Sequence, residues 1–413
     1  SDKVSPIKKI ADGGNVLELW RGPTCAFKDM ALQILPYLLT VSAKKNLKDK
    51  EIVILVATSG DTGKAALEGF KDVEGTKILV FYPNDGVSPM QKLQMTTQEG
   101  NNVGVCAIYG NFDDAQTGVK SIFTNKEILE RFEKNNLVFS SANSINWGRL
   151  APQIVYYVSA YCDMVNNGSV KFGDKINIVV PTGNFGNILA AYFAKEMGLP
   201  INKLICASNA NKVLTDFIET GVYDRNRDFY TTVSPSMDIL ISSNLERLLY
   251  ILCGRDSDII NNWFGQLKDN GKYTISDDVK EKISNLFVAG CCDDDMTKAT
   301  IGETYDSYSY LADTHTAVAI NVCNDYIAKS GDNTPVVIAS TASPFKFSKA
   351  VLNAVEKEAK EYDDEFSTVA ALEDISSLKA PEQLSELKGK AVRFDKVASK
   401  DDMAQVVFDM LGI

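Results

Sequence analysis

Short, unbroken apolar runs alternate along this chain with stretches in which apolar residues recur every three or four positions. Residues 51–57, 77–82, 102–108, 175–180, 203–207 and 334–339 form runs of strand length with little polar alternation, the pattern of strands buried on both faces. Helical spacing marks residues 63–71, 112–132, 147–166, 187–197 and 315–329. Buried strands separated by helices imply parallel strands joined by crossovers, so the predicted fold class is α/β, doubly wound. No internal repeat of 20 to 50 residues is present. Residues 356–397 are polar and irregular with acidic clusters, and are expected to form a surface excursion before a last amphipathic helix over 400–411.

Composition narrows the function classes. With 413 residues, 45% hydrophobic and 23% charged, the chain has room for two or three domains with sizeable cores. A net charge of −11 and a pI near 4.9 argue against nucleic acid or an anionic membrane surface as partner, while leaving room for a local basic pocket. No apolar run approaches the ~20 residues of a membrane span, and residues 1–4 lack the apolar core of a signal peptide. The eight cysteines include no Cys-x-x-Cys pair, which suits the reduced thiols of a cytoplasmic protein. His315 is the only histidine. A histidine-rich metal site is thereby excluded, and catalysis is directed towards lysine or a cofactor.

Three segments carry candidate chemistry. Leu19-Trp20-Arg21-Gly22-Pro23-Thr24-Cys25-Ala26-Phe27-Lys28-Asp29 places a lysine beside an aromatic after a Gly-Pro turn, where the run Met30, Leu32, Ile34, Leu35, Leu38, Leu39 opens a helix at or near Lys28. The positive potential of a helix N-terminus favours a neutral amine, the form that attaches a carbonyl cofactor covalently. From this stretch alone, a solvated first-turn lysine is the favoured reading. The second segment, Thr58-Ser59-Gly60-Asp61-Thr62-Gly63, joins a strand to a helix. It is not a P-loop, because Lys64 is followed by Ala65. The third, Pro181-Thr182-Gly183-Asn184-Phe185-Gly186-Asn187, is another strand-to-helix turn without the dinucleotide-binding Gly-x-Gly-x-x-Gly spacing. Each loop alone reads as an ordinary connection. Together they suit a ligand with two anionic groups, linked covalently to Lys28.

With these three segments in this order, the chain resembles pyridoxal-phosphate enzymes of the tryptophan-synthase-β fold (fold type II). Within that group it resembles the threonine synthases of the longer type found in fungi and many bacteria. Further matches are Val87-Ser88-Pro89 before Met90-Gln91-Lys92, Asn111-Phe112-Asp113-Asp114, Asn143-Ser144-Ile145-Asn146-Trp147, Ser234-Pro235-Ser236-Met237-Asp238, Asp313-Thr314-His315 and Ser340-Thr341-Ala342-Ser343-Pro344. The resemblance covers roughly residues 15 to 350. It implies two doubly wound α/β domains with the cofactor in the cleft. The expected division is a large domain of residues 1–49 and 150–413 and a smaller inserted one of residues 50–149.

The resemblance also implies roles. Lys28 holds pyridoxal 5'-phosphate and shuttles protons. Gly183, Asn184, Phe185, Gly186 and Asn187 cup the cofactor phosphate. Thr341 partners the pyridine nitrogen, with Ser340 as the alternative. Asp61 borders the cofactor's phenolic oxygen, and Ser59, Gly60 and Thr62 grip the substrate carboxylate. Asn143, Ser144 and Arg149 cradle the substrate phosphate, with Lys346 the next cation to consider; Arg149 as a surface residue opening its helix is the competing reading. His315 is expected to be structural. The implied reaction converts O-phospho-L-homoserine and water to L-threonine and phosphate, in a monomer or homodimer. The alternatives are a phospho-lyase on the same scaffold, releasing a keto acid, ammonia and phosphate, and a catalytically silent pyridoxal-phosphate-binding scaffold protein. Two departures accompany the resemblance. The lysine motif comes almost at the start of this chain, where the family carries a sizeable preceding segment, so a piece of a longer protein or a shortened branch is expected. Ser343 stands where the family often has histidine.

Overall fold

The parity of the run Glu51–Ala57 shows why its strand is apolar throughout. Ile52, Ile54 and Val56 face one core, with Ile78, Val80, Leu32, Leu35, Ala66 and Phe70. Val53, Leu55 and Ala57 face another, with Leu79, Phe81, Ile108, Val119, Met403 and Val407. A strand with a core on each face has no place for polar alternation. The structure, a computed structural model, describes residues 4–10, 14–47, 50–356 and 360–413.

Packing divides the chain into two units. The second comprises Gly22–Pro152, Asp364–Phe366 and Lys379–Ile413. Its sheet is parallel throughout, in the order Val397–Ala398, Val103–Ile108, Thr76–Pro83, Glu51–Ala57, Leu137–Ser140. These bounds differ from the expected 50–149. Helix Asp29–Asn46 belongs here because Leu32 and Leu35 are buried in the core that Ile52 and Ile54 line. The C-terminal residues belong here because Val397–Ala398 extends the sheet edge at Ile108 and helix Met403–Leu411 covers the opposite core.

The first unit comprises Ser1–Arg21, Gln153–Asp363 and Ser367–Leu378. Its main sheet has six strands, in the order Ile7–Ile10, Gly14–Glu18, Val336–Ser340, Ile176–Pro181, Ile201–Ser208, Phe287–Cys291. Only the first pair is antiparallel. Among the described residues no helix is long and apolar enough to cross a membrane.

Three expected elements differ in detail. The helix over 112–132 is two, Phe112–Thr124 and Lys126–Lys134, because Asn125 turns extended and its side chain caps Glu127 and Ile128. The helix over 147–166 is Trp147–Leu150, a 3-10 turn Ala151–Gln153 and Ile154–Asn166, since Pro152 has no N–H for a continuous helix. The supposed surface excursion, of which residues 357–359 lie outside the described residues, contains helix Glu365–Ser376 and buries Leu372 and Leu384 completely.

Candidate active site

In a doubly wound sheet, ligands bind outside the carboxyl ends of the strands where the winding reverses. In the second unit the winding runs from Glu51–Ala57 through Thr76–Pro83 to Val103–Ile108 on one side, then returns to Leu137–Ser140 on the other. The segments leaving the two strands at this reversal are 58–62 and 141–149. They carry Ser59, Gly60, Asp61, Thr62, Asn143, Ser144 and Arg149.

Hydrogen bonds fix the first of these loops. Thr58 Oγ1 accepts from the N–H groups of Gly60 (3.0 Å) and Gly63 (2.8 Å). Gly60 has φ +125°, and a Cβ there would lie 2.4 Å from Gln91 Cδ, so only glycine fits. Asp61 opens helix Asp61–Phe70 and is buried. Its Oδ1 accepts from Gln91 Nε2 at 2.8 Å, and its Oδ2 lies 3.6 Å from Lys28 Nζ. Gln91 is held in turn, since its Oε1 accepts the Ser88 N–H at 3.0 Å in a capping box.

Lys28 is 7% exposed and stands just before helix Asp29–Asn46, with Nζ 4.6 Å from the centre of the Phe27 ring. The turn ahead of it is clamped by Asp29, whose carboxylate accepts from the N–H (2.9 Å) and the hydroxyl of Thr24. Arg149 is also buried; its guanidinium donates to the Ala142 carbonyl at 2.9 Å and to Thr62 Oγ1 at 3.3 Å. Asn143 Nδ2 donates to the Ala57 carbonyl at 3.2 Å. Thr62, Asn143 and Arg149 thus share one switch point with Asp61 and, through Asp61, with Lys28. Arg149 is not the surface arginine of the competing reading.

The first unit has its own reversal. From Ile176–Pro181 the winding runs through Ile201–Ser208 to Phe287–Cys291, and Val336–Ser340 returns on the other side. The two strands at the reversal are parallel, with Ile338 opposite Val179, so the loop 182–187 and Thr341 leave the same edge side by side. The loop presents its amides outward. The carbonyl of Gly183 accepts from Ser242 Oγ (2.8 Å), and that of Asn184 accepts from Asn244 N–H (3.2 Å) and Nδ2 (2.9 Å). In a trans peptide the N–H points opposite to the carbonyl, so the Asn184 and Phe185 N–H groups face away from residues 242–244.

Phe185 adopts the left-handed conformation at φ 60°, and helix Gly186–Glu196 begins behind it with no side-chain cap among the described residues. Its first amides are therefore left for an external acceptor. Asn187, in this first turn, accepts from Tyr157 Oη; its Nδ2 is buried and finds no hydrogen-bond partner among the described residues. Burial raises the Tyr157 phenol well above its usual range, so it remains a donor. Ser340 Oγ is engaged by Trp20 Nε1 (3.0 Å), Thr316 Oγ1 (3.0 Å) and Tyr310 Oη (3.4 Å). Of the two hydroxyls weighed for a ring nitrogen, Ser340 is committed to packing.

A family model described as "Pyridoxal-phosphate dependent enzyme" matches residues 17–260, and one described as "Threonine synthase, C-terminal" matches residues 316–407. Threonine synthase of Saccharomyces cerevisiae is 41% identical over 379 residues, covering 86% of this chain and 72% of that protein. The chain belongs to the threonine synthase family of pyridoxal-phosphate dependent enzymes. A crystal structure of pyridoxal-phosphate-bound threonine synthase from Brucella melitensis superimposes with a TM-score of 0.84 at 36% identity, covering 99% of this chain and 81% of that one. Human threonine synthase-like 1 is 42% identical over 360 residues, 86% of this chain and 48% of its own length. This chain therefore spans about half the length of the threonine synthase-like relatives it matches.

The family's cofactor fits the residues present. The phosphate end needs several N–H donors converging on an uncapped helix start, and the loop at 183–187 supplies them together with the buried, unpartnered Nδ2 of Asn187. A buried amine, which the aldehyde end needs, is present at Lys28 in the second unit. Several residues that build these halves were not singled out in the sequence: Gln91 behind Asp61, Tyr157 behind Asn187, and Ser242 and Asn244 behind the glycine loop. The one available sign was the Ser88-Pro89-Met90-Gln91 spacing, which is a capping box read forward from the serine.

Proposed function

We propose that this protein is a threonine synthase, converting O-phospho-L-homoserine and water to L-threonine and phosphate. The reaction breaks the Cγ–O bond to phosphate, adds the water hydroxyl at Cβ and leaves Cγ as a methyl group. The observation that carries the reading is the second-unit switch point, where a buried lysine paired to Asp61 shares the Thr58 loop with a buried arginine bonded to Thr62. Pyridoxal phosphate, when bound, supplies an electron sink for negative charge developing beside the amino group.

The chain's own residues do the rest. Lys28 Nζ would attach the cofactor and, once free, would take protons from the substrate's Cα and Cβ and return them to Cγ, which becomes the methyl group, and to Cα. Asp61, fixed by Gln91, orients that amine. Arg149, with Asn143 and Ser144 beside it, takes the leaving phosphate, for which a planar guanidinium already anchored by two acceptors is preorganised. Ser59, Gly60 and Thr62 receive the substrate carboxylate. The amides and side chains of Gly183, Asn184, Phe185, Gly186 and Asn187 receive the cofactor phosphate. Thr341 would offer the pyridine nitrogen a hydroxyl, which, unlike a carboxylate, need not hold it protonated and would favour elimination and replacement over transamination. A net charge of −11 and free cysteines throughout support a cytoplasmic enzyme, monomer or homodimer, without nucleic-acid or membrane partners.

A second reading is kept because the identity to human threonine synthase-like 1, 42%, is within one percentage point of that to the yeast threonine synthase, 41%. It is a phospho-lyase that expels the same phosphate but releases a keto acid and ammonia. Incubation of the cofactor-loaded protein with O-phospho-L-homoserine separates the two. Threonine and phosphate in equal amounts support the proposal, whereas keto acid and ammonia overturn it in favour of the second reading.

A further inference from the structure

Residues 234–238 lie against the glycine loop of the first unit, and no role in the reaction has been given to them. The Ser236 carbonyl would lie 2.7 Å from a Cβ on Gly183, so the two backbones touch only because residue 183 is glycine. The Ser236 N–H donates to His315 Nε2 at 3.2 Å, and His315 Nδ1 lies 3.0 Å from Asp313 Oδ1. An Nε2 that accepts requires the proton on Nδ1, which then donates to Asp313. His315 is buried and its ring packs edge-on against Phe347, so tautomer and orientation are both fixed.

The other end of the segment is anchored by Asp238. Its carboxylate accepts from Asn209 Nδ2 (2.7 Å), Asn211 Nδ2 (3.2 Å), Thr232 Oγ1 (2.7 Å) and Thr232 N–H (3.0 Å). With its backbone held on both sides, Ser236 has a hydroxyl that is buried and finds no hydrogen-bond partner among the described residues. A buried hydroxyl without a partner is costly unless a ligand completes it. The loop that the Ser236 backbone touches at Gly183 leads into the uncapped start of helix Gly186–Glu196, where Asn187 Nδ2 is likewise buried and unsatisfied.

We propose that Ser236 Oγ donates to the phosphate held at the start of helix Gly186–Glu196, and that His315 is the positioning residue that aims it. This rests on the reading of that loop as the cofactor-phosphate site. Asn187 and Ser236 then complete the donor set that the loop amides begin, and the only histidine in the chain serves as an acceptor that fixes the Ser236 peptide, with no acid–base part in the reaction.

The test is equilibrium binding of pyridoxal phosphate and of pyridoxal, which lacks the phosphate, to wild type, Ser236→Ala, His315→Gln and His315→Phe. One lost hydrogen bond to a charged phosphate corresponds to roughly ten- to hundredfold weaker binding. Ser236→Ala is expected to weaken pyridoxal phosphate by that factor and pyridoxal by less than about twofold, and to shift the phosphorus-31 resonance of the bound cofactor. Glutamine can accept the Ser236 N–H through its carbonyl, so His315→Gln should retain most of the affinity that His315→Phe loses. An equal loss for both ligands, unchanged pyridoxal phosphate affinity in Ser236→Ala, or equal behaviour of the two His315 variants would overturn the inference. Wild type that fails to prefer pyridoxal phosphate over pyridoxal would overturn the phosphate-site reading itself.

Discussion

Gln91→Ala is the sharpest test of how Asp61 is held. Gln91 is fully buried and spans two partners, donating to Asp61 Oδ1 at 2.8 Å and accepting the Ser88 N–H at 3.0 Å. A hydrogen bond to a carboxylate contributes about 1.5–3 kcal/mol, half of a capping box about 1 kcal/mol, and the buried methylene and amide leave a small cavity besides. The combined loss is roughly 3 kcal/mol or more, equivalent to about a hundredfold in an opening equilibrium. Hydrogen–deuterium exchange reads it locally: amides of helices Asp61–Phe70 and Pro89–Thr96 should exchange about a hundredfold faster in the variant.

Gln91→Glu sharpens the test. The new carboxylate can still accept from Ser88 but cannot donate to Asp61, so two carboxylates face each other and the folded pair retains a proton that the unfolded chain releases. The folded state then binds more protons than the unfolded one, and stability falls as pH rises above about 4. Gln91→Glu should therefore regain protection on acidification while Gln91→Ala should not. Exchange accelerated less than about fivefold in Gln91→Ala, or identical pH profiles for the two variants, would refute the account of Asp61.

Two further outcomes are expected. Arg149→Ala should lower kcat/KM for O-phospho-L-homoserine by roughly 30- to several-thousand-fold, the equivalent of about 2–5 kcal/mol for an unpaired phosphate, with cofactor occupancy intact and only partial recovery in Arg149→Lys; unchanged kinetics would move phosphate binding to another cation, Lys346 first. Burial opposes ionisation of Asp332, but donation from Thr334, Asn177 (2.8 Å) and Tyr326 (2.7 Å) outweighs it and holds the carboxyl below the usual range. The unfolded chain binds that proton more readily, so the stabilisation is full above about pH 4 and lost as pH falls below it. Asp332→Asn should lower the urea midpoint at pH 7, with the gap to wild type narrowing steadily as pH falls below about 4, and a gap that stays constant from pH 7 to pH 2 would contradict the assignment.

What the sequence made legible was decided by period and punctuation. Glu51–Ala57 and Ile176–Pro181 read as strands because each is buried on both faces, and a run without alternation admits little else. The loops at 58–62 and 183–187 each read as an ordinary connection, and only the pair, following Lys28 in the chain, suggested a ligand with two anionic groups. The breaks at Asn125 and Pro152 were written in the chain, but apolar spacing continued across them and concealed the caps. Residues 379–413 were misplaced for a different reason: a two-residue strand, Val397–Ala398, pairs with Val103–Ile108 nearly three hundred residues away, and nothing local announces that register. The same limit hid Gln91, Tyr157 and Asn244, whose work is to hold Asp61, Asn187 and Asn184 across long separations. Ser343 keeps its ambiguity: its hydroxyl is fully buried without a hydrogen-bond partner among the described residues, and the structure gives no account of why serine stands there.

All of the proposed chemistry depends on Lys28 as the point of attachment. Loading the protein with pyridoxal phosphate, reducing with borohydride and mapping the peptides by mass spectrometry tests it directly. The account predicts one stable adduct, on the peptide containing Phe27-Lys28-Asp29, and its disappearance in Lys28→Ala while the phosphate loop still binds the cofactor reversibly. An adduct on Lys64, Lys346 or any other lysine, with Lys28 unmodified, would contradict it.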